Sequence, residues 1–284
     1  MEEALSDANV DAVAVATDAS THYALALAAL RAGKHVLVEK PLALTSAEAA
    51  ELVILARRVG RKLMVGHVLE YHPAVRYLEK MVREGELGRV YYAYTQRINL
   101  GVVRQRENAW WSLAPHDVAT LCRLFGAAPT AVSASGQAYI QPGVEDVVFA
   151  TLMFADGRMG HVHVSWLDPH KVRRLTLVGT RRMVTFDDMS AGEKVRVYDK
   201  GVDRPESLRE FRDTVTLRSG DIVIPRIAGD EPLAVQCRAF VDAVLDDAPI
   251  ETDGETGLRV VRVLEAGQQS LRGGGGFTPV PEAP

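Results

Sequence analysis

Short apolar strands that alternate with helices constrain this chain more than any other feature. Residues 10–16 (VDAVAVA) form a β-rich run that stops at Thr17. A helix is predicted from about Thr21 to Ala32, ended by Gly33. A second strand, His35–Val38, stops at Glu39-Lys40-Pro41. The polar stretch Leu44-Thr45-Ser46-Ala47-Glu48 then caps a helix to about Val59, closed by Gly60, and a third strand over 62–65 stops at Gly66. Strands separated by helices pair in parallel through right-handed crossovers. Their runs are apolar on both faces, as a sheet covered on both sides requires. The first part is therefore α/β, and it reads as the carboxyl half of a Rossmann-like sheet. A glycine-rich phosphate loop opens such folds, yet the first glycine here is Gly33.

From about Pro73 the pattern changes. A helix over 73–84 ends at Gly85, and strand-like runs follow at 89–98, 130–140, 146–155, 158–166, 172–178, 182–187 and 194–198. Asp156-Gly157 marks a tight hairpin between two of them. A helix interrupts at about Pro115 to Phe125. Strand after strand with few helices predicts a second, α+β unit built on a large antiparallel sheet. Amphipathic helices over 231–246 and 254–271 close the chain. The predicted organisation is 1–70 as a partial dinucleotide-type domain and 71–272 as an α+β domain whose last helix packs back on the first. Residues 273–284, with Gly273 to Gly276 and a Pro-rich end, read as a mobile tail.

Composition excludes several classes. The 284 residues are 47% hydrophobic and 25% charged with a net charge of −4, which is globular and lacks a basic nucleic-acid footprint. The N-terminus is acidic with no apolar leader pattern, and no apolar run spans a bilayer. A cytoplasmic protein is the expectation. Cys122 and Cys237 both fall in apolar helical patterns and read as buried reduced thiols.

Four stretches carry chemistry. Glu39-Lys40-Pro41 sits at the carboxyl end of a parallel strand, where open α/β sheets place ligands. A lysine there can pass a proton if burial lowers its pKa, or it can be a plain surface lysine. In Trp110-Trp111-Ser112-Leu113-Ala114-Pro115-His116-Asp117, Pro115 suits a helix's first turn. His116 then stands at a helix start as a proton shuttle or a packing histidine, with Asp117 in the same turn. Lys171, Arg173 and Arg174 group near a strand start, to meet an anion or merely to be solvated. Tyr71-His72-Pro73 follows the strand end at Gly66-His67, as a ligand contact or a helix-start packing element. His161 and His163 share one strand face, but no carboxylate or cysteine clusters with them, so no metal is assigned.

Taken together, VDAVAVATDASTH, GKHVLVEKP, GHVLEYHPAV, GELGRVYYAYTQRINLG, WWSLAPHD, DPHKVRRLTLVGTRRMVTFDD and ETDGETGLRVVRVLEA resemble the Gfo/Idh/MocA family of NAD(P)-dependent oxidoreductases over essentially the whole chain. The resemblance is to a branch acting on nucleotide-linked sugars, at C3 of UDP-N-acetylglucosamine or its uronate. It implies NAD or NADP as cofactor and a sugar substrate. It also implies a homo-oligomer formed through the antiparallel sheet. By this resemblance Lys40 and His116 are the catalytic pair. Thr17, His22, Glu39, Lys40 and Pro41 line the dinucleotide, and Tyr71, Asp117, Lys171 and Arg173 line the substrate. Many relatives carry aspartate four positions before the histidine, where this chain has Ser112. His72 replaces a frequent asparagine and Gln236 a common glutamate.

The same resemblance places the start of this chain after two βα units of the family, on the order of 60 residues that hold the pyrophosphate. Strand 10–16 is then an open sheet edge. Two explanations stand: a reading frame that starts late in a working dehydrogenase, or a true short chain. The latter would be a catalytically silent sugar- or partner-binding fragment, or half of a split enzyme.

Overall fold

The computed structural model describes residues 2–203 and 216–281. A short helix α1 (Glu2–Ser6) leads into β1 (Ala12–Val15), α2 (Ala19–Arg31), β2 (His35–Glu39), α3 (Ser46–Arg58) and β3 (Leu63–Gly66). A 3-10 turn (Val68–Tyr71) and α4 (Pro73–Arg83) follow, then β4 (Val90–Ile98) and α5 (Ala109–Phe125). The strands β5 (Ala131–Gln137), β6 (Val147–Met153), β7 (Met159–Ser165), β8 (Val172–Gly179), β9 (Met183–Asp187), β10 (Val195–Asp203) and β11 (Thr216–Val223) build the second sheet. Helices α6 (Pro232–Leu245) and α7 (Gly254–Arg272) and the two-residue strand β12 (Thr278–Pro279) complete it.

The first sheet is parallel, in the order β1-β2-β3. Its strands are double-faced, as their apolar runs predict. Val36, Val38 and Val65 pack with Leu30, Leu52 and Val261 on one side. Leu37 and Met64 pack with Tyr71 and Phe240 on the other. Helix α7 thus does lie against the parallel sheet. Gly257 lets it approach, because a Cβ there would fall 2.5 Å from Val65 Cγ2. Among the described residues β1 pairs only with β2 and is a sheet edge.

The second sheet has nine strands, in the order β11-β10-β9-β8-β4-β7-β6-β5-β12. It is mixed rather than wholly antiparallel, since β4 runs parallel to β7. Alternation sorts its faces: Val148, Ala150 and Leu152 of β6 and Val162 and Val164 of β7 are buried beneath α5 and α7. Phe149 and His163 turn to the opposite face and stack with centroids 4.3 Å apart. Gly157, with φ of 83°, turns the β6–β7 hairpin in the left-handed region.

Three sequence expectations change. The stretch from Gly273 is tied down through Val280 rather than loose. Thr278 and Pro279 pair with β5, Val280 N–H donates to the Thr130 carbonyl at 2.9 Å, and Ser270 Oγ donates to the Gly276 carbonyl at 2.6 Å. The glycines permit the chain reversal that reaches a free sheet edge; residues 282–284 lie outside the described residues. Cys122 is buried, which pushes its thiol up to about 12, but Cys237 is exposed on the outer face of α6. Helix α5 begins at Ala109, not at Pro115. The Asn108 cap accepts from the Trp111 N–H at 3.1 Å and sets the start. Pro115 therefore sits inside the helix, where burial of most α5 side chains outweighs a penalty of about 3 kcal/mol.

Candidate active site

The carboxyl ends of β1, β2 and β3 form a rim that faces α5. Lys40 leaves β2 here and reaches across, and its Nζ donates to the Ser112 carbonyl at 2.8 Å. His116 follows Ser112 by one helical turn, so both stand on the same side of α5. The structure thus brings Lys40, Ser112 and His116 together from elements distant in sequence. Burial lowers the Lys40 pKa, while the carboxylates of Glu107 and Glu39 oppose that shift. His116 is held well below the usual imidazole value, first by burial and then by the charges of Arg97 and Lys40. Its Nδ1 is buried without a hydrogen-bond partner. A lysine of lowered pKa is suited to proton transfer near neutrality, and an imidazole held neutral beside it offers a hydrogen bond rather than a proton sink.

Two tryptophans set the rotation of α5. Trp110 is fully buried, and its Nε1 donates to the Leu264 carbonyl of α7 at 2.9 Å. The Trp111 Nε1 donates to Gln268 Oε1 at 3.1 Å, which also accepts from Asn108 Nδ2 at 2.8 Å. Gly267 leaves room for the Trp110 ring, since a Cβ there would fall 2.5 Å from it. These contacts fix which side of α5 meets Lys40.

The other residues singled out by sequence divide into rim and support. Thr17 is exposed on the rim, its Oγ1 2.6 Å from Thr21 Oγ1. Glu39 is half-buried and its carboxyl lies over Gly66, where a Cβ would fall 2.9 Å from it. His22 is 1% exposed. Its ring lies between two carbonyl oxygens, Pro41 O at 2.7 Å and Thr17 O at 3.0 Å, and an N–H donated to either ties the rim to α2. Tyr71 is also buried, with its hydroxyl 3.1 Å from Thr252 Oγ1, and it packs with Leu37, Met64 and Phe240. Asp117 lies mid-helix, not in a first turn, and accepts two hydrogen bonds from Arg97, at 2.9 and 3.2 Å. It holds a buried cation in place. Arg173 stands opposite Arg97 in register and lies 3.6 Å from Asp188. Lys171 is exposed just before β8. His72 caps α4, and its Nδ1 accepts from the Ala74 N–H at 3.0 Å, a role asparagine also fills.

Sequence reasoning overlooked Arg97, whose pairing with Asp117 depends on the β4–α5 packing. It also overlooked a cleft of about 780 Å³ beside the Lys40–Ser112 contact. Asp18, Thr45, Trp111, Arg104, Arg106 and Arg272 line it. The N-terminus of α2 opens into this cleft, and Asp18 makes no side-chain cap there. Its charges are mixed: the carboxylates of Asp18, Glu107 and Glu265 line it with the three arginines, and Arg104 lies 3.5 Å from Glu107. Among the described residues no group of three histidine, cysteine or acidic side chains is placed to hold a metal ion.

Comparison with known proteins gives the lineage. Residues 1–67 match the model of the Gfo/Idh/MocA oxidoreductase family, NAD-binding Rossmann fold, and residues 75–185 match a Gfo/Idh/MocA C-terminal domain. The chain belongs to the Gfo/Idh/MocA family. It is an oxidoreductase of that family, and its cofactor class is the nicotinamide dinucleotide. Among its relatives is the UDP-N-acetylglucosamine 3-dehydrogenase of Acidithiobacillus ferrooxidans, 28% identical over 89% of this chain and 76% of that protein. A solved protein from Magnetospirillum magnetotacticum MS-1 is 30% identical, covers 92% of this chain and 81% of its own, and superposes with a TM-score of 0.76. A protein of gentamicin A biosynthesis, solved in complex with NAD, is 26% identical with a TM-score of 0.81, over 99% of this chain and 82% of its own. No helix among the described residues of this Gfo/Idh/MocA chain is long and apolar enough to cross a membrane.

Proposed function

We propose that this oxidoreductase moves a hydride between NAD or NADP and a secondary hydroxyl of a nucleotide-linked sugar, at C3 of UDP-N-acetylglucosamine or its uronate. The observation that carries the reading is the 2.8 Å bond from Lys40 Nζ to the Ser112 carbonyl, which joins the dinucleotide-type rim to the helix bearing His116. The similarity to the Acidithiobacillus ferrooxidans enzyme supports the choice of sugar.

The dinucleotide, when bound, supplies the hydride acceptor. Thr17, Glu39, Lys40 and Pro41 shape the rim at its nicotinamide end, with His22 holding that rim from beneath. Lys40 Nζ takes the hydroxyl proton as the carbinol hydrogen leaves with its electron pair, and a carbonyl forms. Neutral His116 orients the same oxygen through a ring nitrogen. Arg173 and Lys171 attract the anionic part of the substrate, and the Arg97–Asp117 pair fixes the floor below. Tyr92, Tyr94, Phe149 and Met159, all more than a third exposed on the open face of the second sheet, supply a surface for self-association.

Replacing Lys40 by Met keeps the fold and removes the base. Turnover of a UDP-sugar with NAD(P) is expected to fall on the order of 100- to 10,000-fold, with the thermal midpoint little changed. Near-normal turnover in that variant would sink the assignment. Calorimetric binding of UDP-sugar without dinucleotide would mark a silent fragment instead.

A further inference from the structure

His67 is the most anomalous polar residue near the rim. It follows β3 directly, is 1% exposed, and both of its ring nitrogens are buried without a hydrogen-bond partner. An unmet buried polar group costs roughly 1–3 kcal/mol, and such groups persist where function uses them. Its location is informative. Strands β2 and β3 pair in parallel with Glu39 opposite Gly66, so the next residues, Lys40 and His67, leave the sheet side by side. Helix α5 closes over both, and Lys40 Nζ rests there on one neutral acceptor, the Ser112 carbonyl. An ammonium has three hydrogens to donate, and no carboxylate lies within ion-pair distance of it among the described residues.

We infer that His67 is a positioning residue for Lys40: its neutral imidazole accepts a hydrogen bond from the lysine once that amine has taken the hydroxyl proton. This rests on the reading of Lys40 as the base. The substrate O–H bond breaks and its proton joins the Lys40 lone pair, while the carbinol hydride passes to nicotinamide and the C=O bond forms. His67 exchanges no proton; its free ring nitrogen accepts one N–H of the new ammonium beside the Ser112 carbonyl. The imidazole suits this task because it stays uncharged: burial holds it at about 3, and the Lys40 charge adds to that effect. The other charged groups around Lys40 are Glu39 on its own strand, Glu107 and Arg104 from the loop before α5, and Arg97 from β4. His116 faces it from α5. Asp117 already neutralises Arg97. A neutral acceptor thereby stabilises the ammonium without locking it as a carboxylate would, in a chain that has Ser112 where many relatives carry aspartate.

The test compares His67→Phe, which keeps a ring and removes the acceptor, with His67→Asn and His67→Gln, which place an amide oxygen near one or the other nitrogen. Lys40 ionisation is read on substrate-free protein from the pH dependence of its acylation by acetic anhydride, followed by mass spectrometry. His67→Phe is expected to lower the Lys40 midpoint by about half a pH unit or more, and one amide variant to restore it. The acid limb of kcat/KM should move the same way, with kcat down roughly tenfold and KM little changed. A second measurement needs no His67 variant: in Lys40→Met the His67 imidazole should titrate at higher pH by 15N NMR. Identical Lys40 midpoints in wild type and His67→Phe, or an unmoved His67 in Lys40→Met, overturn the inference. If the midpoints shift while no nucleotide sugar is oxidised, the positioning role stands and the proposed reaction falls.

Discussion

The buried pair Arg97–Asp117 gives the sharpest test of how this site is held. Both side chains are nearly inaccessible, 10% and 7% exposed, and two hydrogen bonds at 2.9 and 3.2 Å join them. Asp117→Ala leaves the guanidinium in place under α5 with no counter-charge and no room for bulk water. Removing one partner of a buried pair costs about 3–5 kcal/mol, because the remaining charge is desolvated without compensation. At roughly 2–4 °C per kcal/mol for a chain of this size, the thermal midpoint should fall by about 6–20 °C. Differential scanning calorimetry with urea unfolding at fixed pH measures it. The double variant Arg97→Met/Asp117→Leu removes both charges and should recover most of the loss. A fall of less than about 1 kcal/mol in Asp117→Ala would refute the reasoning, as it would show that the guanidinium reaches water.

Glu70 is 2% exposed, and burial raises its carboxyl to about 7 against the pull of Arg123. A raised folded value means stability is full below pH 4.5 and falls as pH rises towards about 7. The wild type should lose on the order of 3 kcal/mol over that window relative to Glu70→Gln, measured by urea unfolding at each pH; parallel curves would overturn it. Gly267→Ala drives a methyl into the Trp110 ring and should cost about 1–3 kcal/mol, visible as a lower thermal midpoint and altered tryptophan fluorescence.

Much of the fold was legible because it is carried by local pattern. The three apolar runs at 10–16, 35–38 and 62–65 could only be parallel strands once helices were read between them. Asp156-Gly157 announced its hairpin through turn chemistry that few other residue pairs permit. The site was legible in part. Lys40 could be placed at a strand end because Pro41 and the helix cap at Thr45 follow it so closely. The start of α5 was not, because Pro115 is a strong local signal for a first turn and tertiary burial overrode it. The internal partners of Asp117 and Tyr71 were hidden for a related reason: a polar residue near a ligand stretch looks the same in sequence whether it faces the cleft or an internal partner.

The Thr278–Pro279 pairing escaped because its partner, β5, is remote in sequence, and β11 escaped because it is almost wholly exposed and carries no alternating apolar pattern, although it pairs with the preceding strand β10. The sequence alone determined a parallel three-stranded rim, a following sheet-rich unit, and a lysine and a histidine at element ends or turns of the right chemistry. Tertiary structure decided that Lys40 and His116 meet, that Arg97 is balanced by Asp117, and that His67 is sealed beside the lysine with its nitrogens unmet. Periodicity fixes which face of an element is apolar. Electrostatic environment depends on burial and on charges from other elements, and those exist only after the chain has closed on itself.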